Sequence, residues 1–304
     1  MKFDFGEALG QMWKIGWRHK VLWVFQVLPM LVYLLMLPVS VFANPAISMF
    51  MPEPYKQWAQ EPWMFGVLIG MSVFILAPML LVTAYARSAT ILGAIQADKG
   101  AEKLSFRKLS SESLPYLFRI AGMYFLFSAL WVATMLIFMA LMTALTVGTM
   151  GLGFLCMMPL FFLIYPIAFV GYIIMELTQA AIIADDLGLR DALAQGWRLF
   201  RSNFLTVSIY MIILYFGLLT ISSVFIFPVM MIPMMALPFT IESSGDFSRS
   251  FFIFMAVIFP LTTVFMFGVQ AILTTFLQAA WAVAYRRLTA QPNQPIVAVA
   301  EING

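Results

Sequence analysis

Charge is what this chain of 304 residues has least of: Asp, Glu, Lys and Arg make up 10%, against about 25% in an ordinary soluble domain. It has one cysteine, Cys156, and one histidine, His19. A single cysteine excludes an internal disulfide framework and a cysteine-built metal cluster, and one histidine cannot build a zinc or haem site alone. No G-x-S-x-G elbow, H-E-x-x-H helix, Walker loop or D-x-D-like carboxylate pair is present, so the residues nominate no catalytic centre, metal or cofactor. The net charge of +3 is small and its bases are scattered. A nucleic-acid surface needs them clustered on one face, which sets nucleic acid aside as a partner.

Apolar residues take the vacated space, at 63% of the chain with a mean hydropathy of +0.95. Runs at about residues 21–44, 63–86, 120–147, 150–174, 204–236 and 250–280 are each long enough to cross hydrocarbon about 30 Å thick. The expected fold class is therefore all-α integral membrane, with about six transmembrane helices. The first run starts only after Lys20, behind Asp4, Glu7, Lys14, Arg18 and His19, and no small-residue cleavage site follows it. That argues against a cleaved signal peptide. Pro228, Pro233 and Pro238 mark the end of the fifth run as the place where a helix is expected to break. Trp13, Trp17, Trp23, Trp58, Trp63, Trp197 and Trp281 fall near the predicted interfaces, as membrane aromatic belts do.

The bases fix an orientation. Of the 17 Lys and Arg residues, all but Lys56 and Arg249 fall on one side of the predicted spans. The positive-inside rule then places both termini in the cytoplasm, with short, mildly acidic outer loops at 45–62 and 239–249. Compact loops and this asymmetry point to a bacterial inner membrane.

A short pattern recurs. Residues 7–15 read EALGQMWKI, 112–120 ESLPYLFRI and 191–199 DALAQGWRL. Each copy runs acid, small residue, Leu, then an aromatic, a base and Ile or Leu, and each precedes an odd-numbered span. In the first copy Phe5, Ala8, Leu9, Met12 and Gly16 share a face opposite Glu7, Gln11, Lys14 and Arg18. In the third, Leu189, Ala192, Leu193, Gly196 and Trp197 stand opposite Asp191, Gln195, Arg198 and Ser202. Such helices lie in the membrane plane, with Trp13, Phe118 and Trp197 as interfacial anchors and the bases toward anionic lipid headgroups. The ends of the even-numbered spans echo one another too, in Ser88-Ala89-Thr90-Ile91, Gln179-Ala180-Ala181-Ile182 and Gln278-Ala279-Ala280-Trp281. These patterns predict a threefold internal repeat of an amphipathic interfacial helix followed by a hairpin, over 1–98, 99–186 and 187–288, with a cytoplasmic tail at 289–304.

Polar residues in or near spans are the default functional candidates because each costs energy unless paired. Arg87 and Glu176 sit at matching ends of the second and fourth spans. Gln179 follows Glu176, and Gln270, Thr274 and Gln278 form one row on the sixth span. An Arg87–Glu176 ion pair ringed by Gln179, Gln270 and Gln278 is expected. It serves either as packing glue, worth about 0.6 kcal/mol per hydrogen bond, or as a polar site open to the cytoplasm; the sequence favours the first. Asp185, Asp186 and Asp191 could together hold Mg²⁺, but adjacent carboxylates on a helix point apart, and Asp186 before Leu-Gly reads as a helix terminus.

The stretch DALAQGWRLFRSNF, residues 191–204, resembles a segment of several loosely defined bacterial six-span families. One of them is the membrane domain that accompanies some glycerophosphoryl diester phosphodiesterases. The resemblance implies the six-span layout and carries no catalytic residue, because the chemistry of those enzymes belongs to a separate soluble barrel. The expected function is non-catalytic: a scaffold, an accessory subunit or a lipid-associated protein, bound to anionic lipid and to a membrane-protein partner or a second copy. The alternative is a transporter or channel for a small solute or lipid, resting on the prolines of the fifth span and the polar rows.

Overall fold

The computed structural model describes residues 3–42, 61–149, 152–236 and 249–290, and among them every regular element is a helix. The predicted outer loops and tail fall almost entirely outside these residues, as do Trp58 and Pro238. The helices are α1 (Phe5–Arg18), α2 (Val21–Phe42), α3 (Pro62–Asp98), α4 (Phe106–Ser113), α5 (Leu117–Gly148), α6 (Leu152–Ala184), α7 (Leu189–Ser202), α8 (Phe204–Ala236) and α9 (Arg249–Thr289). Five are long and apolar enough to cross a membrane. The number rises to six if α1 and α2, bent by 78° at the break between them, count as one. In hydrocarbon a chain must satisfy its own amides, and a helix does so within one segment.

The long helices exceed what a crossing requires. About 20 residues span the hydrocarbon, yet α3 has 37, α6 has 33 and α9 has 41. The hydropathy runs had ended these spans near 86, 174 and 280. The helices continue because their last turns, although more polar, are packed against neighbours. α8 corrects a second expectation, since it runs unbroken through Pro228 and Pro233. Proline costs an isolated helix about 3 kcal/mol, but neighbouring groups re-satisfy a freed carbonyl in a membrane bundle.

α3, α6 and α9 touch one another at the centre. α2 lies against α3 and α9, α5 against α6 and α3, and α8 against α9 and, more lightly, α6. The short helices follow the same rotation: α1 packs on α9, α4 on α3 and α7 on α6. Burial concentrates at one end. It covers Ala84–Ile95 of α3, Ile173–Ile183 of α6 and Ala271–Leu288 of α9, whereas no described side chain of α3 before Ala84 or of α9 before Ala271 is buried. α5 and α8 expose Phe125, Leu136, Ile137, Leu205, Phe216 and Val224 along their lengths.

α1 begins at Asp4, whose carboxylate accepts the Glu7 amide at 3.0 Å, a side-chain cap that satisfies one of the free N–H groups of the first turn. It buries Ala8, Met12, Ile15 and Gly16 and exposes Glu7, Trp13, Lys14 and Arg18. α7 buries Ala192, Gly196, Leu199 and Phe200. Trp197, expected on that face, is instead half exposed, because the four buried residues lie within about 100° of helix rotation and Trp197 falls about 60° beyond that arc. The second copy of the pattern starts in α4 and finishes in α5, split by the turn Leu114–Tyr116. Pro115 has no N–H and suits a helix's first turn, so the chain restarts there. Trp281, counted among the interfacial tryptophans, is fully buried and meets the Tyr210 ring edge-on at 5.8 Å.

Small residues permit these close approaches. A Cβ on Gly196 would meet the Thr178 hydroxyl at 2.6 Å and the Ile174 carbonyl oxygen at 3.2 Å, and one on Gly16 would enter the Phe276 ring. Gly196→Ala is expected to cost about 1–3 kcal/mol through overpacking, read as a lower unfolding midpoint in detergent. Gly10→Ala, with nothing within 4 Å of the added methyl, should be neutral or stabilising by up to about 1 kcal/mol.

Candidate functional site

Four long helices converge on Glu176, whose side chain is fully buried. Arg87 of α3 donates from Nη1 to Oε1 at 2.9 Å. Gln278 of α9 donates from Nε2 to Oε2 at 3.2 Å, with Oε1 at 3.5 Å. Tyr172, one turn earlier on α6, lies close to the same carboxylate. α5 adds Tyr124, whose ring lies 5.2 Å from the Arg87 guanidinium carbon and whose hydroxyl donates to Gln179 Oε1 at 3.1 Å. A buried carboxylate is tolerable only with such donors around it, and here both oxygens are engaged. A carboxylate so occupied is poorly placed to act as a general base.

The structure brings together Arg87, Glu176, Gln179 and Gln278 and leaves Gln270 out. Gln270 is exposed, two turns from Gln278 on α9. Eight residues on a helix turn through about 800°, so the two are some 80° apart in direction and about 12 Å apart along the axis. Thr90, one turn beyond Arg87 on α3, accepts from Gln26 at 2.9 Å. Gln26 and Tyr124 were missed, since both sit in runs whose composition reads as lipid-facing. Two buried atoms in the cluster, Gln179 Nε2 and Gln278 Oε1, have no partner.

Below this layer the ends of the helices are tied by charge. Arg119 pairs with Asp186 at 2.7 Å and Arg287 with Glu7 at 2.9 Å, while Arg286 pairs with Asp98 and the Tyr285 hydroxyl donates to Asp185. The three aspartates Asp185, Asp186 and Asp191 are thereby divided: Asp185 and Asp186 serve different neighbours, and among the described residues no three His, Cys, Asp or Glu side chains come together to hold a metal ion. Asp186 adopts φ 51, a left-handed turn that ends α6. Trp13, Phe118 and Trp197 are 50%, 76% and 50% exposed.

These observations define an all-helical chain with five to six helices long and apolar enough to span a membrane. No protein-family model, curated protein or solved structure matches it.

Removing one partner of a buried pair strands the other. Arg87→Leu is expected to cost about 3–5 kcal/mol, and adding Glu176→Gln should restore part of it. Unfolding midpoints of both single variants and the double variant in detergent test the coupling; strictly additive losses would show that the two groups do not interact.

Proposed function

We propose that this chain is a non-catalytic multi-pass protein of a bacterial inner membrane, a scaffold or accessory subunit that works through contacts with lipid and with partner helices. Both termini and the basic end face the cytoplasm, with the bases held at the anionic leaflet. The observation that carries the reading is the full burial of Glu176, Gln179 and Gln278. The buried contacts of Glu176 join the chain's own helices, while α5 and α8 turn apolar side chains outward. The likeness of residues 191–204 to bacterial six-span families supports the same placement.

Its architecture is a triplicated unit over 1–98, 99–186 and 187–288. Aligned positions share an environment: Ala8, Ser113 and Ala192 are buried, as are Ile15, Ile120 and Leu199, and Trp13, Phe118 and Trp197 are exposed. The three echoing quartets that begin at Ser88, Gln179 and Gln278 are buried throughout. The short helix of each later unit leans on the even-numbered span of the unit before it, and α1 on α9 closes the circle.

A transport reading has one observation in its favour. Arg87 keeps 17% of its side chain exposed, and Gln179 Nε2 and Gln278 Oε1 lie unpaired beside it, as in a site awaiting a polar solute.

Purification in a gentle detergent, with mass spectrometry of what accompanies the chain, separates these readings. Anionic lipid or a stoichiometric protein companion is expected; solute uptake into proteoliposomes that Glu176→Gln abolishes would sink the scaffold. A reporter fused after Thr289 should be active only in the cytoplasm, and periplasmic activity would reverse the orientation.

A further inference from the structure

A cleft opens where the end of α1 meets the end of α3. Its walls include Gln11, Lys14, Arg18 and His19 on one side and Asp98 and Gly100 on the other. Lys14 and Arg18 are exposed, and among the described residues neither forms an ion pair. The acid that could have matched them, Asp98, is bound to Arg286 of α9. The carbonyl ends of the two helices, which would repel an anion, are partly capped: the His19 amide bonds the Ile15 carbonyl at 3.1 Å, and the Lys99 and Gly100 amides bond those of Ile95 and Ala97 at 3.0 Å. Among the described residues, the positive charge of Lys14 and Arg18 in the cleft therefore has no acidic partner.

Beside it lies apolar surface. One helical face over on α1, Trp13 and Trp17 stand half exposed, 5.7 Å apart edge to face, with Trp13 stacked on Phe276 at 5.1 Å. α2 leaves the same corner with Val24, Leu31 and Leu35 exposed. A molecule that fits both surfaces joins an anionic group to hydrocarbon.

We propose that this cleft binds the phosphate-bearing headgroup of an anionic membrane lipid, seated on Lys14 and Arg18 with its acyl chains along α2. The proposal deepens the lipid contacts of the preceding section and rests on their orientation. A free phosphate would engage the same bases but gain nothing from the apolar wall.

His19 supplies the probe, as the only histidine of the chain. Its ring is buried in the cleft wall, and burial, followed by the Arg18 charge, lowers its pKa from the ordinary 6.5. The charged groups facing it are Lys14 and Arg18 of α1 and Asp98 of α3, the last neutralised by Arg286 of α9. Above pH 6.5 the ring is neutral in both folded and unfolded chains. As pH falls below that value the unfolded chain takes a proton that the buried ring refuses, so stability is lost until the folded-state pKa is passed. A bound anion should favour the protonated ring, raise its midpoint and shrink that loss.

The experiment is NMR of the intact protein in zwitterionic micelles with isotope-labelled histidine, titrated with short-chain phosphatidylglycerol, the matching phosphatidylcholine, or inorganic phosphate. Phosphatidylglycerol is expected to bind saturably and raise the His19 midpoint while the other two do not. Lys14→Gln and Arg18→Gln should each weaken binding about fivefold, and Lys20→Gln, exposed and outside the cleft wall, should leave it unchanged. Thermal unfolding in detergent verifies that each variant is folded. An equal response to inorganic phosphate would reassign the cleft to a soluble anion and overturn the lipid. A null response, or equal weakening by all three variants, would remove the site. Because solute uptake reads the scaffold and the reporter fusion reads orientation, each independently of this titration, failure of this cleft and failure of the scaffold reading are distinguishable.

Discussion

A carboxylate stripped of water has to be met by donors, and Glu176 is met from two other helices. Arg87 reaches it from α3 and Gln278 from α9, so the three central helices can close together only in the register that brings these side chains to one level. A shift by one turn moves a side chain about 5.4 Å along the axis and would leave the charge unpaired, a penalty of several kcal/mol. Apolar packing in a bilayer carries little register information, since lipid tails are as apolar as Leu. The polar layer supplies it, and Tyr124 extends it to α5.

The tight packing follows from that layer. Alanines gather just beyond it, in Ala89, Ala94, Ala180, Ala181, Ala279 and Ala280, all buried, which lets the helices approach closely. The short helices lean on the same stretches, α7 over Thr178 through Gly196 and α1 over Phe276 through Gly16. The surplus turns of α3, α6 and α9 are thus the foundation of the molecule, and the portions apolar enough to cross a membrane rise from them.

Much of this was legible in the sequence, and for definable reasons. The helical class follows from hydrophobic runs that only a bilayer accommodates, and matching span ends placed Arg87, Glu176 and Gln278 at similar depth. Gln270 failed because sharing a row is not sharing a direction over eight residues. The ends of the long helices were misjudged because hydropathy registers the solvent a residue would prefer, whereas Asp98, Arg286 and Arg287 are held by one another and by Glu7. Tyr124 and Gln26 could not be found by composition, because a lone polar atom in an apolar run shows its partner only once the helices are paired.

The seating of α1 on α9 has a consequence for biosynthesis. The Trp13 and Gly16 face is synthesised about 260 residues before Phe276, which at about 5–20 residues per second means a wait of roughly 13 to 50 seconds. Through that interval the first helix has an apolar stripe and no protein to cover it. An apolar surface such as a membrane would stand in for it, and the seam between α1 and α9 can close only after the helices between them have been made.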